Sequence, residues 1–109
     1  MSEISELTEK IKAFNKERDW DQFHNPKDLA IALNIETSEL LEIYLWNRNE
    51  DVNINKVKEE LADIFTYALN LADKYNLNVR EIIEDKLKIN ALKYPINKAK
   101  GSSKKYNNL

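Results

Sequence analysis

The chain is predicted to be all-α, a four-helix bundle completed by oligomerisation, on three observations. A single Gly and two Pro in 109 residues leave too little turn chemistry for the many short strands of a sandwich or barrel. With 33% charged and 42% hydrophobic residues, the chain has the balance of amphipathic helices, not of a disordered polymer. The apolar residues also recur at spacings of three and four over four separate stretches.

In the first stretch Ile4, Leu7, Ile11 and Phe14 share a face, with Ser2 placed to cap the helix and Glu3 and Glu6 at its positive end; it closes near Asp19. Trp20 to His24 lacks helical periodicity and reads as an aromatic-rich connection. Asn25-Pro26 then gives N-cap and N1 in order, and apolar residues continue from Leu29 to Trp46. A helix over 26–47 would span roughly 33 Å. Asn47 to Asn55 is polar and reads as a loop. A third helix is predicted from about Asn55 to Lys74, with Val57, Leu61, Ile64, Phe65, Ala68 and Ala72 on its apolar side. The fourth starts at Asn78, with Glu81 three residues on as in a capping box, and Tyr94-Pro95 stops it. The expected organisation is a helical domain over 1–95 and a basic tail or arm over 96–109.

At this length one domain is expected. The absence of Cys removes disulfide scaffolds, Cys-ligated zinc, iron–sulfur clusters and thiol nucleophiles. Charges are interspersed through the first 18 residues and no stretch approaches the apolar length of a membrane span, so a cytoplasmic protein without a membrane partner is expected. Net charge is −2, unevenly distributed: all 19 acids and 10 of the 17 basic residues precede Lys86, which leaves that part at −9, and the seven lysines from Lys86 onward follow with no acid. A basic end on an acidic body can hold polyphosphate, bind nucleic acid or be a solvated tail. The acidic body and the lack of a base-reading motif argue against nucleic acid.

Chance placement of 19 acids gives about three pairs at i, i+3, so such a pair means little by itself. Direction carries the information. Ala32, Glu36, Glu39, Ile43 and Trp46 would form one helical stripe, and Val57, Glu60, Asp63, Ile64 and Tyr67 another, so two carboxylates interrupt each apolar seam. Glu3, Glu6 and Glu9 lie off their helix's apolar stripe. Four acids cannot stay ionised in a low-dielectric cleft without counter-charge. A divalent cation supplies it, and oxygen-only donors favour Mg²⁺, with Mn²⁺ or Ca²⁺ after it. The alternative is that the acids edge a narrower stripe and pair with Lys56, Lys58 or water. Glu59 could substitute for Glu60, and Glu42 points away from Glu36.

On these residues the chain resembles the MazG-like all-α nucleoside triphosphate pyrophosphohydrolases, through Glu36-Thr37-Ser38-Glu39 and Glu60-Leu61-Ala62-Asp63. It is most similar to their small dCTP pyrophosphatase branch. That similarity adds Glu17 to His24, Glu39-Leu40-Leu41-Glu42, Glu59, Lys86, Asn90, Lys93-Tyr94-Pro95, Gly101-Ser102 and Lys105-Tyr106. Ile35 and Ser38 depart from the pattern, which usually has Gly there.

The resemblance implies hydrolysis of an NTP or dNTP, dCTP or a modified dNTP among them, to the monophosphate and pyrophosphate, a nucleotide-pool house-cleaning activity. It also implies Mg²⁺ on Glu36, Glu39, Glu60 and Asp63, with Glu36 or Glu39 activating water, and a homodimer or homotetramer. Lys86, Asn90 and Lys93, at i, i+4 and i+7, would form a strip toward the triphosphate; Trp20, His24, Trp46, Tyr67 and Tyr94 are the remaining substrate-contact candidates. Each of these also has an ordinary reading, as a snorkelling lysine or a core aromatic. A non-catalytic helical module that binds nucleotides or another protein is the competing function.

Overall fold

The computed structural model describes residues 2–109, and it is all-helical, with no strand among the described residues. The four predicted helices are α1 (Glu3–Glu17), α2 (Pro26–Tyr44), α3 (Ile54–Lys74) and α4 (Val79–Lys93), and a single turn, α5 (Ile96–Ala99), follows. Short 3₁₀ turns lie at Asp21–Phe23, Asn49–Asp51 and Tyr106–Asn108.

Side-chain caps set the starts. The Ser5 amide donates to Ser2 Oγ at 3.1 Å, the Asp28 amide to Asn25 Oδ1 at 2.9 Å, the Asn55 amide to Asn53 Oδ1 at 3.0 Å and the Glu81 amide to Asn78 Oδ1 at 3.0 Å. Each satisfies an amide that a helix start leaves without an internal partner.

The end of α2 differs from the expectation of a helix to residue 47. Leu45 leaves the helical region and Trp46 takes a left-handed φ of 67°, while the Asn47 side-chain nitrogen Nδ2 donates to the carbonyls of Ile43 and Leu45 at 3.0 and 3.3 Å. Those bonds satisfy carbonyls that another helical turn would have used. Trp46 therefore leaves the helical stripe and is fully exposed.

The chain divides into a first unit ending at Leu77 and a second, Asn78–Leu109. In the first, α2 packs chiefly along α3, and α1 also packs on α3. Leu29, 1% exposed, is its most buried large side chain, with Val57 and Ala72 also buried. Much of the predicted apolar face stays open: Phe65, Phe14 and Ile35 are exposed. In the second unit the segment after Pro95 is folded: the Tyr106 ring meets Tyr94 edge-on at 6.2 Å, and the Lys93 ammonium lies 5.0 Å from its centroid. Among the described residues no helix is long and apolar enough to cross a membrane.

Candidate active site

The side-by-side packing of α2 on α3 brings acids from both helices to one place. Glu36, midway along α2, and Glu60 and Asp63, one turn apart on α3, can each present a carboxylate oxygen within 4.8 Å of the other two. Glu36 and Glu60 are half-buried and Asp63 is exposed. With both carboxylates ionised, Glu36 Oε2 and Glu60 Oε2 are buried without a hydrogen-bond donor. Two inaccessible carboxylate oxygens with no donor are costly for a folded chain. The donor set is oxygen only, as a hard divalent cation requires, so these residues fit one.

Electrostatics agree with that geometry. Burial first pushes the Glu36 carboxyl up to about 7, with hydrogen bonds to Glu60 and Glu39 and the charges of Glu39 and Asp63 adding to it. Two ionised carboxylates cannot bond to each other, whereas a proton on Glu36 lets it donate. The proton thus does in the metal-free protein what a cation would otherwise do. Tyr67 borders the same cluster: burial, then the charges of Glu36, Asp63 and Glu39, hold its hydroxyl above the usual tyrosine range.

Glu39 is exposed and stands outside the close trio, although near enough to act on Glu36. A cleft of about 600 Å³ opens beside it, walled by Glu39, Glu42, Asp51, Glu59 and Glu60, with Lys56 the cation on its lining. Glu59 and Glu42 belong to this wall and not to the trio. On the α1 side of Asp63 an apolar groove of about 560 Å³ runs past Leu7, Ile11, Phe14, Phe65 and Leu69.

The predicted aromatic positions are spread over several surroundings. Trp20 packs edge-on against Phe14, centroids 5.7 Å apart, and Arg18 covers the same Phe14 ring at 3.7 Å. His24 is half-buried and its Nδ1 lies 3.2 Å from Asn70 Nδ2. Trp46 holds its indole in solvent on a left-handed backbone, a conformation that costs a bulky residue about 1–3 kcal/mol. The remaining candidates, Lys86, Asn90, Lys93 and Tyr94, belong to the second unit: Lys86 lies beside Ile82, Ile83 and Leu87, Asn90 is half-buried, and Lys93 and Tyr94 hold Tyr106.

Sequence reasoning missed Asn70, 4% exposed on α3. The signal was available, since Asp63, Tyr67 and Asn70 follow one another at i, i+4 and i+7 on one stripe.

Proteins of known structure or name are similar to this chain over most of its length. A crystal structure of a pyrophosphatase from Archaeoglobus fulgidus superposes with a TM-score of 0.81 at 35% identity, covering 87% of this chain and 94% of that one. dCTP pyrophosphatase 1 of Bos taurus and of Homo sapiens are each 34% identical over 104 residues, 88% of this chain. The chain spans only 62% and 61% of their respective lengths. Residues 31–109 match the MazG-like family, and with that match taking in Glu36, Glu39, Glu60 and Asp63, the chain belongs to the MazG-like family.

Proposed function

We propose that the chain is a divalent-cation-dependent pyrophosphohydrolase that converts a (d)NTP, dCTP or a modified dNTP, to the monophosphate and pyrophosphate. The observation that carries this reading is the pair of orphaned, buried carboxylate oxygens on Glu36 and Glu60, in a trio of carboxylates that Asp63 completes. The family match and the relatives named as dCTP pyrophosphatases support the substrate class.

Glu36, Glu60 and Asp63 would hold the cation, Mg²⁺ or Mn²⁺. When bound it neutralises phosphate charge and acidifies a water. The chain's own residues do the rest. The trio leaves Glu39 free, which supports it as the group that orients the attacking water and takes its proton. The water oxygen bonds to the α-phosphorus, the α–β bridging P–O bond breaks, and pyrophosphate departs with that oxygen. Glu36 is the alternative acceptor, because a carboxyl held at about 7 exchanges its proton near neutrality.

Lys86, Asn90 and Lys93 would bind the outer phosphates, and Trp20, His24, Trp46, Tyr67 and Tyr94 the nucleoside. The full exposure of Trp46 on a strained backbone is what a ring awaiting a ligand or a second subunit would look like. A homodimer or homotetramer is part of the proposal, supported by large apolar side chains left open along α2, α3 and α4. House-cleaning of the nucleotide pool would place the protein in the cytoplasm.

The test is pyrophosphate release by the purified chain across standard and modified (d)NTPs with Mg²⁺ or Mn²⁺, with product identification. Turnover to the monophosphate, lowered ~10²-fold or more by Glu39→Gln and by Asp63→Asn, is expected. No turnover with any of them, or turnover indifferent to both substitutions, rejects the reading.

A further inference from the structure

Asn70 and Asn15 are the buried polar residues among those described, and a buried amide calls for partners. The partner of Asn70 is His24, 46 positions earlier in the chain, with 3.2 Å between the amide nitrogen and ring Nδ1. An amide NH₂ group can only donate. With the amide oriented this way Nδ1 must accept, and the proton of the neutral ring then sits on Nε2.

The same helix grips the loop a second time. Lys74, one turn beyond Asn70, donates to Asp21 Oδ1 at 2.6 Å and holds the Asp21 carboxyl below its usual range. The His24 amide donates to the Asp21 carbonyl at 3.1 Å, so the 3₁₀ turn carrying the ring is pinned at both ends. Asp63, Tyr67, Asn70 and Lys74 follow one stripe of α3, and seven residues of helix put Asn70 about 10 Å from Asp63 along the axis. That is of the order a nucleoside spans between its phosphate and its base.

We infer that Asn70 is a positioning residue that fixes His24 in the Nε2–H tautomer, so that the ring offers a hydrogen-bond donor to an acceptor on the nucleotide's base. The inference rests on the pyrophosphohydrolase reading for its ligand, but not for the tautomer. A carbonyl oxygen or an unprotonated ring nitrogen on the base satisfies that donor. The opposite tautomer would set two N–H donors, Nδ1–H and the Asn70 amide, against each other and leave both without an acceptor.

His24 is the chain's only histidine, so ¹⁵N-histidine labelling of the whole protein yields a single imidazole. At about pH 8.5, where ordinary imidazole is neutral, wild type should show pyrrole-like Nε2 and pyridine-like Nδ1. Asn70→Asp is nearly isosteric, yet a carboxylate only accepts, so the two nitrogens should exchange character. KM for the nucleotide should rise about tenfold, the scale of one neutral hydrogen bond, with kcat changing less than about threefold. In a His24→Ala background Asn70→Asp should raise KM no further.

A proton on Nδ1 in wild type, a tautomer indifferent to Asn70→Asp, or an exchanged tautomer with KM unmoved would overturn the inference. If Asn70→Asp does not fold, Asn70→Ser takes its place; its hydroxyl both donates and accepts, so mixed tautomers and an intermediate KM are expected, and an unchanged tautomer refutes. If wild type hydrolyses no (d)NTP, the pyrophosphohydrolase reading fails by itself. Calorimetric nucleotide affinity then replaces KM, and indifference of that affinity to Asn70→Asp sinks this inference separately.

Discussion

Replacing Glu36 by glutamine should stabilise the metal-free protein at alkaline pH, the reverse of what removing a hydrogen-bonding side chain usually does. The Glu36 carboxyl ionises at about 7 in the folded protein against an ordinary 4.5, from burial first and then its acidic neighbours. Between those values the folded state keeps a proton that the unfolded state has lost. The stability this provides is fully present below 4.5, falls as pH rises, and is gone above about 7. The interval corresponds to ~3 kcal/mol, which solvent screening of a half-open carboxyl reduces to about 1–2 kcal/mol. Glutamine carries no charge and avoids the loss. In EDTA at about pH 8, Glu36→Gln should therefore melt above wild type, at about 4–8 °C per kcal/mol for a chain of this size, and the difference should vanish near pH 4.5. Mg²⁺ should then raise the wild-type midpoint at pH 8 more than at pH 5.5, roughly the two sides of the Glu36 transition, while Glu36→Gln responds little. Circular dichroism melts in a two-by-two of pH and metal read all of this. A variant that melts at or below wild type in EDTA at both pH values would refute the electrostatic account of the cluster.

Two further outcomes test the frame around the site. Leu29→Ala, at a side chain 1% exposed, should cost about 2–5 kcal/mol by denaturant titration; a cost below 1 kcal/mol would mean that α2 is not anchored there. Tyr106→Ala removes the ring that Tyr94 and Lys93 share, worth about 1 kcal/mol, so trypsin should cut within Lys98 to Lys105 about fivefold faster, and an unchanged cutting rate would mean the C-terminal segment is not held by that contact.

Helix starts were legible because they are local. Asn25-Pro26 and Asn78 with Glu81 announce caps that need only the next three residues, and both are made as read. The end of α2 was not, because its apolar spacing runs on to Trp46 while termination depends on where the Asn47 side chain bonds. The C-terminal segment escaped for a related reason: its order comes from an aromatic contact twelve residues apart in sequence, between Tyr94 and Tyr106, and no periodicity encodes that. At the site, misplaced charge was the usable signal. Glu36, Glu60 and Asp63 stood out as acids on an apolar seam and do converge, whereas Glu39, one turn from Glu36, sits just outside the trio. Asn70 obeys the same logic as a polar residue on a buried face, but a neutral amide carries no charge to draw notice.

The claim on which the rest depends is that Glu36, Glu60 and Asp63 grip a divalent cation. Mn²⁺ titration followed by electron paramagnetic resonance, with and without a nucleotide analogue whose α–β bridge resists hydrolysis, tests it without relying on turnover. Saturable binding by the wild-type chain that is lost in Glu60→Gln and Asp63→Asn is the expected result. Binding that both variants retain unchanged, or no saturable binding in either condition, would contradict it.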